Sequence, residues 1–141
     1  MTFRKATEAD LLQIVAMIAD DELGKQRENY QNPLPAEYRN AFTKISADEN
    51  QELMVVEDES HEIVGTLQLS FIQYLTYRGG IRAQIEAVRI RSDKRGQGFG
   101  KTMFEWAIAR AQEKGAHLLQ LTTDKKRPDA ITFYEDLGFK Q

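Results

Sequence analysis

The sequence has no cysteine in its 141 residues and only 3 prolines. The absence of cysteine excludes a disulfide framework, a thiolate metal site and a cysteine nucleophile, so an acyl group cannot travel through an acyl-cysteine. Positive charge is not in excess either. The formal net charge is −3, whereas a general nucleic-acid-binding protein is usually basic.

The chain also lacks a long apolar segment. Its longest uncharged apolar run covers residues 14–19, far short of the roughly 20 residues that a membrane helix needs. The amino terminus carries no apolar stretch of the kind found in signal peptides. We therefore expect one cytoplasmic domain over residues 1–141, with an ordinary apolar content of 41% and no membrane or nucleic-acid partner.

Hydrophobic periodicity predicts alternating helices and strands. A first helix is predicted to begin at Thr7, with Asp10 as a capping-box partner, and to stop at Gly24. The other predicted helices cover residues 36–48, 99–114 and 128–137. The predicted strands cover residues 2–6, 53–56, 63–74, 81–90 and 117–123.

This order reads β-α-α-β-β-β-α-β-α, with a further short strand expected at the end. Short turns join the three middle strands, which is typical of an antiparallel meander. The fourth strand, the helix after it and the fifth strand form a β-α-β unit, whose strands are parallel. The predicted fold class is therefore α/β of the α+β kind: a mixed, mostly antiparallel sheet flanked by about four helices.

A glycine-rich turn, Arg95-Gly96-Gln97-Gly98-Phe99-Gly100-Lys101, lies between the fourth strand and the helix that follows it. The first amides of a helix point outward, and with the helix dipole they favour a phosphate group. Basic residues surround this turn, at positions 89, 91, 94, 95 and 101. A structural turn with solvated lysines is the simpler interpretation of the same residues.

Two other phosphate motifs fail on spacing. A P-loop ending at Gly100-Lys101-Thr102 requires a glycine where this chain has Arg95. The dinucleotide fingerprint requires G-x-G-x-x-G, whereas the glycines here are spaced G-x-G-x-G.

With this turn, the sequence resembles the GNAT superfamily of acyl-CoA N-acyltransferases. The family motif (Gln/Arg)-x-x-Gly-x-(Gly/Ala) is filled by Arg95, Gly98 and Gly100. A second family element, a late helix with an aromatic-Tyr and Leu-Gly-Phe pattern, matches residues 130–139. The resemblance covers the whole chain in element order, and its specific motifs fall within residues 85–139.

The resemblance implies that acetyl-CoA is the cosubstrate and that its pyrophosphate lies on the amides of the glycine-rich turn. It also implies that the fourth and fifth strands splay apart to admit the pantetheine arm. The residues implied in cofactor binding are Val88, Ile90, Arg95, Gly96, Gln97, Gly98, Phe99, Gly100, Lys101 and Arg127. Arg127 stands where the family often has asparagine, so it is either a cofactor contact or part of a solvated basic loop.

The resemblance makes Tyr134 the candidate general acid. Spacing alone favours a core role, because Ala130, Phe133, Tyr134 and Leu137 form one helical stripe. Glu86 is the candidate general base, acting through water. By strand alternation it is expected to share a face with Val88 and Ile90, and the alternative is a solvent-facing carboxylate. The Val88 amide is a candidate donor to the thioester carbonyl.

The acyl-acceptor pocket is expected beside the loop after the first helix. Asp20, Asp21 and Glu22 are interpreted as acids at a helix C-terminus, where they oppose the dipole and either attract a cationic amine or belong to a frayed end. Weaker candidates for the pocket wall are Tyr30, Tyr74 and Tyr77. The two histidines, His61 and His117, have no metal-ligand spacing, so no metal is expected.

These features predict transfer of an acetyl group from acetyl-CoA to a primary amine of a small molecule or peptide, by direct attack in a ternary complex. A non-catalytic acyl-CoA-binding module of the same fold and a nucleotide-phosphate-binding protein are the alternatives. The sequence ends at residues 139–141, where family members usually continue into a final strand. Either the last strand is vestigial, or residues are missing, or a partner completes the sheet, and a shortened edge is where homodimer contacts are expected.

Overall fold

The computed structural model describes residues 1–122 and 128–140, and it contains one five-stranded sheet in the order β1-β2-β3-β4-β5. Neighbouring strands are antiparallel except for the parallel pair β4–β5. This arrangement confirms the predicted mixed, mostly antiparallel sheet. The strands are β1 (Thr2–Lys5), β2 (Gln51–Glu57), β3 (Ile63–Gln73), β4 (Ile81–Ile90) and β5 (Leu118–Leu121).

Helices cover both faces of the sheet. They are α1 (Leu11–Ile18), α2 (Glu22–Arg27), α3 (Ala36–Ala47), α4 (Thr76–Gly79), α5 (Phe99–Glu113) and α6 (Pro128–Asp136). On one face, Ile14 and Met17 of α1 pack against Val55. On the other face, Met103 and Phe104 belong to a buried cluster of α5 and sheet residues.

The larger core lies between α5 and the sheet. Alternation along β3 sends Leu67, Leu69 and Phe71 to the α5 side, and all three are buried. Ile85 of β4 joins them because it lies opposite Leu69. Phe3 of β1 extends this core by stacking on the Trp106 ring, with centroids 4.8 Å apart.

The prediction that Gly24 ends the first helix is wrong. Helix α1 ends at Ile18, and Gly24 lies inside α2, where its amide donates to the side chain of the N-cap residue Asp21. A glycine is needed there because α2 packs closely on the end of α1. A Cβ on Gly24 would lie 2.1 Å from the Ile18 carbonyl oxygen.

The remaining boundaries differ from the predictions by small amounts. Tyr74 follows β3 rather than ending it, and β5 is shorter than predicted. The turn α4 has left-handed backbone at Tyr77 and Arg78, with φ of 55° and 60°. The further strand expected at the end has no counterpart in residues 137–140. Within residues 1–122 and 128–140, no helix is long and apolar enough to cross a membrane.

A β-bulge interrupts β4 at Ala87. Glu86 lies opposite Gln68 and Arg89 opposite Thr66, so β4 has one residue more than β3 between these pairs. Ala87 has a φ of 52°, in the left-handed region. A bulge of this kind changes which residues face each side of the sheet and increases the local twist.

The pairing of β4 with β5 stops just before this bulge. The last pair is Ile85 with Leu121, and β4 continues for five more residues, to Ile90. Five residues of β4 therefore have no partner in β5, on the side of β4 where the resemblance places the pantetheine arm.

Candidate active site

A cavity of about 610 Å³ lies beside the part of β4 where its pairing with β5 ends. Residues from six elements reach it, because the ends of α1, α2 and β5 approach the bulged part of β4, and α5 and α6 each add an aromatic side chain. Its lining comprises Ile18, Leu23, Arg27, Glu28, Ile85, Glu86, Ala87, Val88, Arg89, Phe104, Leu121, Thr122 and Tyr134.

The bulge gives this cavity two different walls. Ile85 and Val88 pack toward the core on the α5 side, where Phe104 and Tyr134 also lie. Glu86 and Arg89 lie on the opposite face of the sheet, since Arg89 is opposite Thr66 and that face carries α1. We call these the α5-side wall, which is apolar and aromatic, and the α1-side wall, which is charged.

The expectation that Glu86 shares a face with Val88 and Ile90 is wrong. The additional residue at Ala87 reverses the alternation, so Glu86 lies with Gln84 on the α1 side and is exposed. The Gln84 amide donates to the Glu86 carboxylate over 2.8 Å. The two predicted residues Glu86 and Val88 nevertheless line one cavity, because it extends across the strand.

Tyr134 belongs both to this cavity and to an aromatic cluster. Its ring lies 5.3 Å from Phe104, 5.7 Å from Phe133 and 6.3 Å from Phe139, measured between centroids. Edge-on contacts at these distances hold the ring in one orientation. The core role and the cavity position of Tyr134 are therefore compatible.

The glycine-rich turn leads into α5 at the end of β4. Gly96 and Gly98 have φ of 79° and 83°, and Gly98 is the N-cap of α5. A Cβ at either position would meet no atom within 4 Å, so space remains beside the turn. A Cβ on Gly100 would instead lie 3.2 Å from Ile90 Cδ1, so α5 approaches β4 closely.

Of the basic residues predicted around this turn, Arg91 is directed elsewhere. Its guanidinium contacts Asp93 over 2.6 Å and Glu62 over 3.4 Å. Arg95 lies 4.0 Å from Asp20, and both side chains are about half exposed. Positive charge at the turn is thus partly balanced by the end of α1.

The interpretation of residues 20–22 as acids at one helix C-terminus is also wrong. Asp21 and Glu22 begin α2, where negative charge complements the dipole, and only Asp20 follows α1. Asp21 Oδ2 lies 3.7 Å from Arg89 Nη2, and Glu22 is exposed beside Lys25. Neither Asp21 nor Glu22 lines the cavity at the bulge.

The tyrosines predicted for the pocket wall lie elsewhere. Tyr30 lines a separate cavity, also about 610 Å³, beside α1 and Arg91. Tyr74 lies at the opposite end of β4, where its hydroxyl contacts Nε2 of His117 and Tyr77 stacks on the same histidine. In place of these tyrosines, the cavity is lined by Arg27 and Glu28, which follow the predicted end of the first helix at Gly24.

Two further predictions concern Arg127 as a cofactor contact and the expectation of no metal. Arg127 lies outside the described residues. Within residues 1–122 and 128–140, no three histidine or acidic side chains come together as a metal site.

A family model for the GNAT acetyltransferases matches residues 16–139, a span that holds both motifs and every described residue of the cavity. This chain belongs to the GNAT acetyltransferase family. The family match agrees with the mixed sheet, in which only β4 and β5 are parallel, and with the glycine-rich turn at the start of α5.

The chain is also similar to individual proteins. It is 31% identical over 138 residues to an aminoalkylphosphonate N-acetyltransferase from Salmonella typhimurium, across 98% of this chain and 84% of that protein. A crystal structure from Bacillus halodurans C-125, described as a transcriptional regulator, is 57% identical with a TM-score of 0.93, across 99% and 92% of the two chains. Glucosamine-6-phosphate N-acetyltransferase from Arabidopsis thaliana shares the fold at 19% identity, with a TM-score of 0.74 across 99% and 91%.

Proposed function

We propose that this GNAT protein transfers an acetyl group from acetyl-CoA to the primary amine of a small molecule. The observation that carries the proposal is the cavity at the bulge, which brings Glu86, Val88 and Tyr134 together from both faces of the sheet. The chain has no cysteine, so direct transfer is favoured over a covalent acyl-cysteine.

The residues present fit acetyl-CoA. The turn at residues 95–101 leaves open space beside Gly96 and Gly98. The first N–H groups of a helix such as α5 have no acceptor within the helix, so they can donate hydrogen bonds to an anion. In this proposal Arg95 and Lys101 add positive charge there, while β4 beyond Ile85 offers backbone groups that β5 does not pair. When bound, acetyl-CoA supplies an activated acetyl group and a thiolate leaving group.

Each candidate residue has one task. The Glu86 carboxylate takes a proton from the ammonium of the acceptor, through water, since its side chain is exposed and lines the cavity. The Tyr134 hydroxyl gives a proton to the leaving sulfur. The Val88 N–H donates a hydrogen bond to the carbonyl oxygen, on which negative charge develops.

The relatives support a small-molecule acceptor. The Salmonella typhimurium protein is named for aminoalkylphosphonates, and those compounds are the first acceptors to test. A role as a transcriptional regulator, which is the description of the Bacillus halodurans protein, is not favoured here because the net charge is −3, whereas a general nucleic-acid-binding protein is usually basic.

The experiment that tests the enzyme proposal compares wild type, Tyr134→Phe and the matched control Tyr77→Phe. Tyr77 is an exposed tyrosine away from the cavity. With a panel of primary amines and acetyl-CoA, thiol release should fall about 100-fold or more in Tyr134→Phe and remain unchanged in Tyr77→Phe. The dissociation constant of acetyl-CoA should be similar in all three proteins.

The two alternative functions, a non-catalytic acyl-CoA-binding module and a nucleotide-phosphate-binding protein, predict different results in binding and turnover measurements. A non-catalytic module would bind acetyl-CoA and turn over no amine in the panel. A nucleotide-binding protein would show a thermal shift with ATP-Mg²⁺ and none with coenzyme A, which would overturn the proposal.

A further inference from the structure

The α1-side wall of the cavity carries more charge than an amine acceptor needs. Two carboxylates, Glu28 and Glu86, and two guanidinium groups, Arg27 and Arg89, line it. A carboxylate alone is sufficient to bind an ammonium group. Arginine is the side chain whose planar donors suit carboxylate, sulfonate and phosphonate oxygens.

Arg27 is held in place by a chain of hydrogen bonds. Its Nε donates to Glu28 Oε2 over 2.6 Å, and the Tyr38 hydroxyl donates to Glu28 Oε1 over 2.9 Å. The Asn29 amide donates to the same hydroxyl. Partial burial raises the pKa of Tyr38, which keeps the hydroxyl protonated as a donor. Both Glu28 oxygens are therefore engaged, so Glu28 positions Arg27 and leaves Glu86 for the amine.

Arg89 is fixed by the bulge. Its side chain is only 16% exposed, and Nη1 donates to the Val88 carbonyl oxygen over 2.9 Å. Asp21 Oδ2 lies 3.7 Å from Arg89 Nη2 and balances its charge. A largely buried guanidinium at a cavity wall gives an anion a stronger interaction than a solvated one does.

The strand sets the distance between the two functions. Glu86 and Arg89 lie on the same face of β4 across the bulge, so their positions are separated by about two residue steps, or roughly 7 Å along the strand. A ligand that contacts both carries its amine and its anion only a few bonds apart.

We infer that the acceptor of this enzyme is a short amine that also carries an oxyanion group, with Arg89 and Arg27 binding the oxyanion and Glu86 the amine. This inference rests on the proposed function. It assigns Arg27 and Arg89 as specificity-determining residues and Tyr38, through Glu28, as a positioning residue for Arg27.

The test uses acceptors with the same amine and spacer. Aminoethylphosphonate, taurine and β-alanine represent three oxyanions, and ethanolamine and propylamine are uncharged at the corresponding end. The kcat/KM of wild type should be about 10- to 100-fold higher for at least one oxyanion acceptor than for ethanolamine. The three oxyanions, compared with one another, show which acid group the site prefers.

Variants then locate the selectivity. Arg89→Gln and Arg27→Gln should each reduce kcat/KM for the preferred oxyanion acceptor about tenfold or more, with little change for ethanolamine. Tyr38→Phe should raise KM for the oxyanion acceptor and leave kcat unchanged. Arg39→Gln is the matched control, since Arg39 lies on α3, pairs with Glu8 and does not line this cavity.

The outcomes separate this inference from the proposed function. If no amine is acetylated although acetyl-CoA binds, the proposed function fails. If amines are acetylated with no preference for an oxyanion, the inference alone is overturned. It is equally overturned if the Arg27 and Arg89 variants weaken acetyl-CoA binding and leave acceptor selectivity as in wild type.

Discussion

Replacing Gly98 by alanine tests the contribution of the glycine-rich turn to acetyl-CoA binding. Gly98 has a φ of 83° and open space around its missing Cβ, so the substitution introduces backbone strain without a steric clash. An L-residue in this region costs about 1–2 kcal/mol, and the lower entropy of the unfolded alanine chain offsets about 0.4–1 kcal/mol of that. The expected net loss of about 1 kcal/mol corresponds to a fall in Tm of roughly 3–5 °C for a domain of this size.

Gly115 provides a matched control at the other end of α5. Its φ is 78°, and it too has no atom within 4 Å of a built Cβ. Gly115→Ala should therefore lose similar stability, measured by thermal unfolding. Only Gly98→Ala should weaken acetyl-CoA binding, because only there does relaxation of the strain redirect the first amides of α5.

Titration calorimetry with acetyl-CoA distinguishes the two glycine variants. Loss of one hydrogen bond to a charged phosphate raises Kd about tenfold or more. A Gly98→Ala protein that is destabilised like Gly115→Ala but binds acetyl-CoA as wild type does would refute the assignment of the turn as the pyrophosphate site.

Two further predictions concern stability. Arg110 hydrogen bonds lower the pKa of buried Glu52, so this pair stabilises the fold above the ordinary glutamate pKa and loses that contribution as pH falls through the lowered value. Glu52→Gln should cost about 1–3 kcal/mol in urea unfolding at about pH 7, and a difference that does not shrink toward about pH 3 would contradict this reasoning. Gly24→Ala should cost about 1–3 kcal/mol, because its Cβ would lie 2.1 Å from the Ile18 carbonyl oxygen, and an unchanged denaturation midpoint would argue against the close packing of α2 on α1.

The sheet was the most predictable part of the molecule. The predicted bounds of β4, residues 81–90, are those observed, because a turn signal at Gly79-Gly80 precedes a strand rich in β-branched and apolar residues. The α5 helix differs from its prediction by one residue, since its N-cap glycine and its Lys114-Gly115 end are both local signals. Strand bounds and helix ends that depend on residues close in sequence could therefore be predicted.

The bulge was not predictable in this way. Ala87 is not glycine or asparagine, the residues that usually mark a left-handed backbone, and its φ of 52° coincides with the register shift between β4 and β3. Strict alternation consequently placed Glu86 on the wrong face. The same limitation applies to Gly24, where glycine followed by a polar stretch resembles a helix end, although its actual constraint is contact with Ile18.

The bulge at Ala87, which strict alternation did not predict, is the feature that forms the cavity. A bulge increases local twist, and the bulge at Ala87 lies two residues beyond Ile85, where the pairing of β4 with β5 ends. Had alternation continued, Glu86 and Val88 would lie on one face, and the charged and apolar walls could not meet at the same opening. The single additional residue therefore places the Glu86 carboxylate on the α1 side and the Val88 side chain on the α5 side of one cavity. In the proposed function, a base for the amine and a backbone N–H for the carbonyl oxygen then lie beside the same opening.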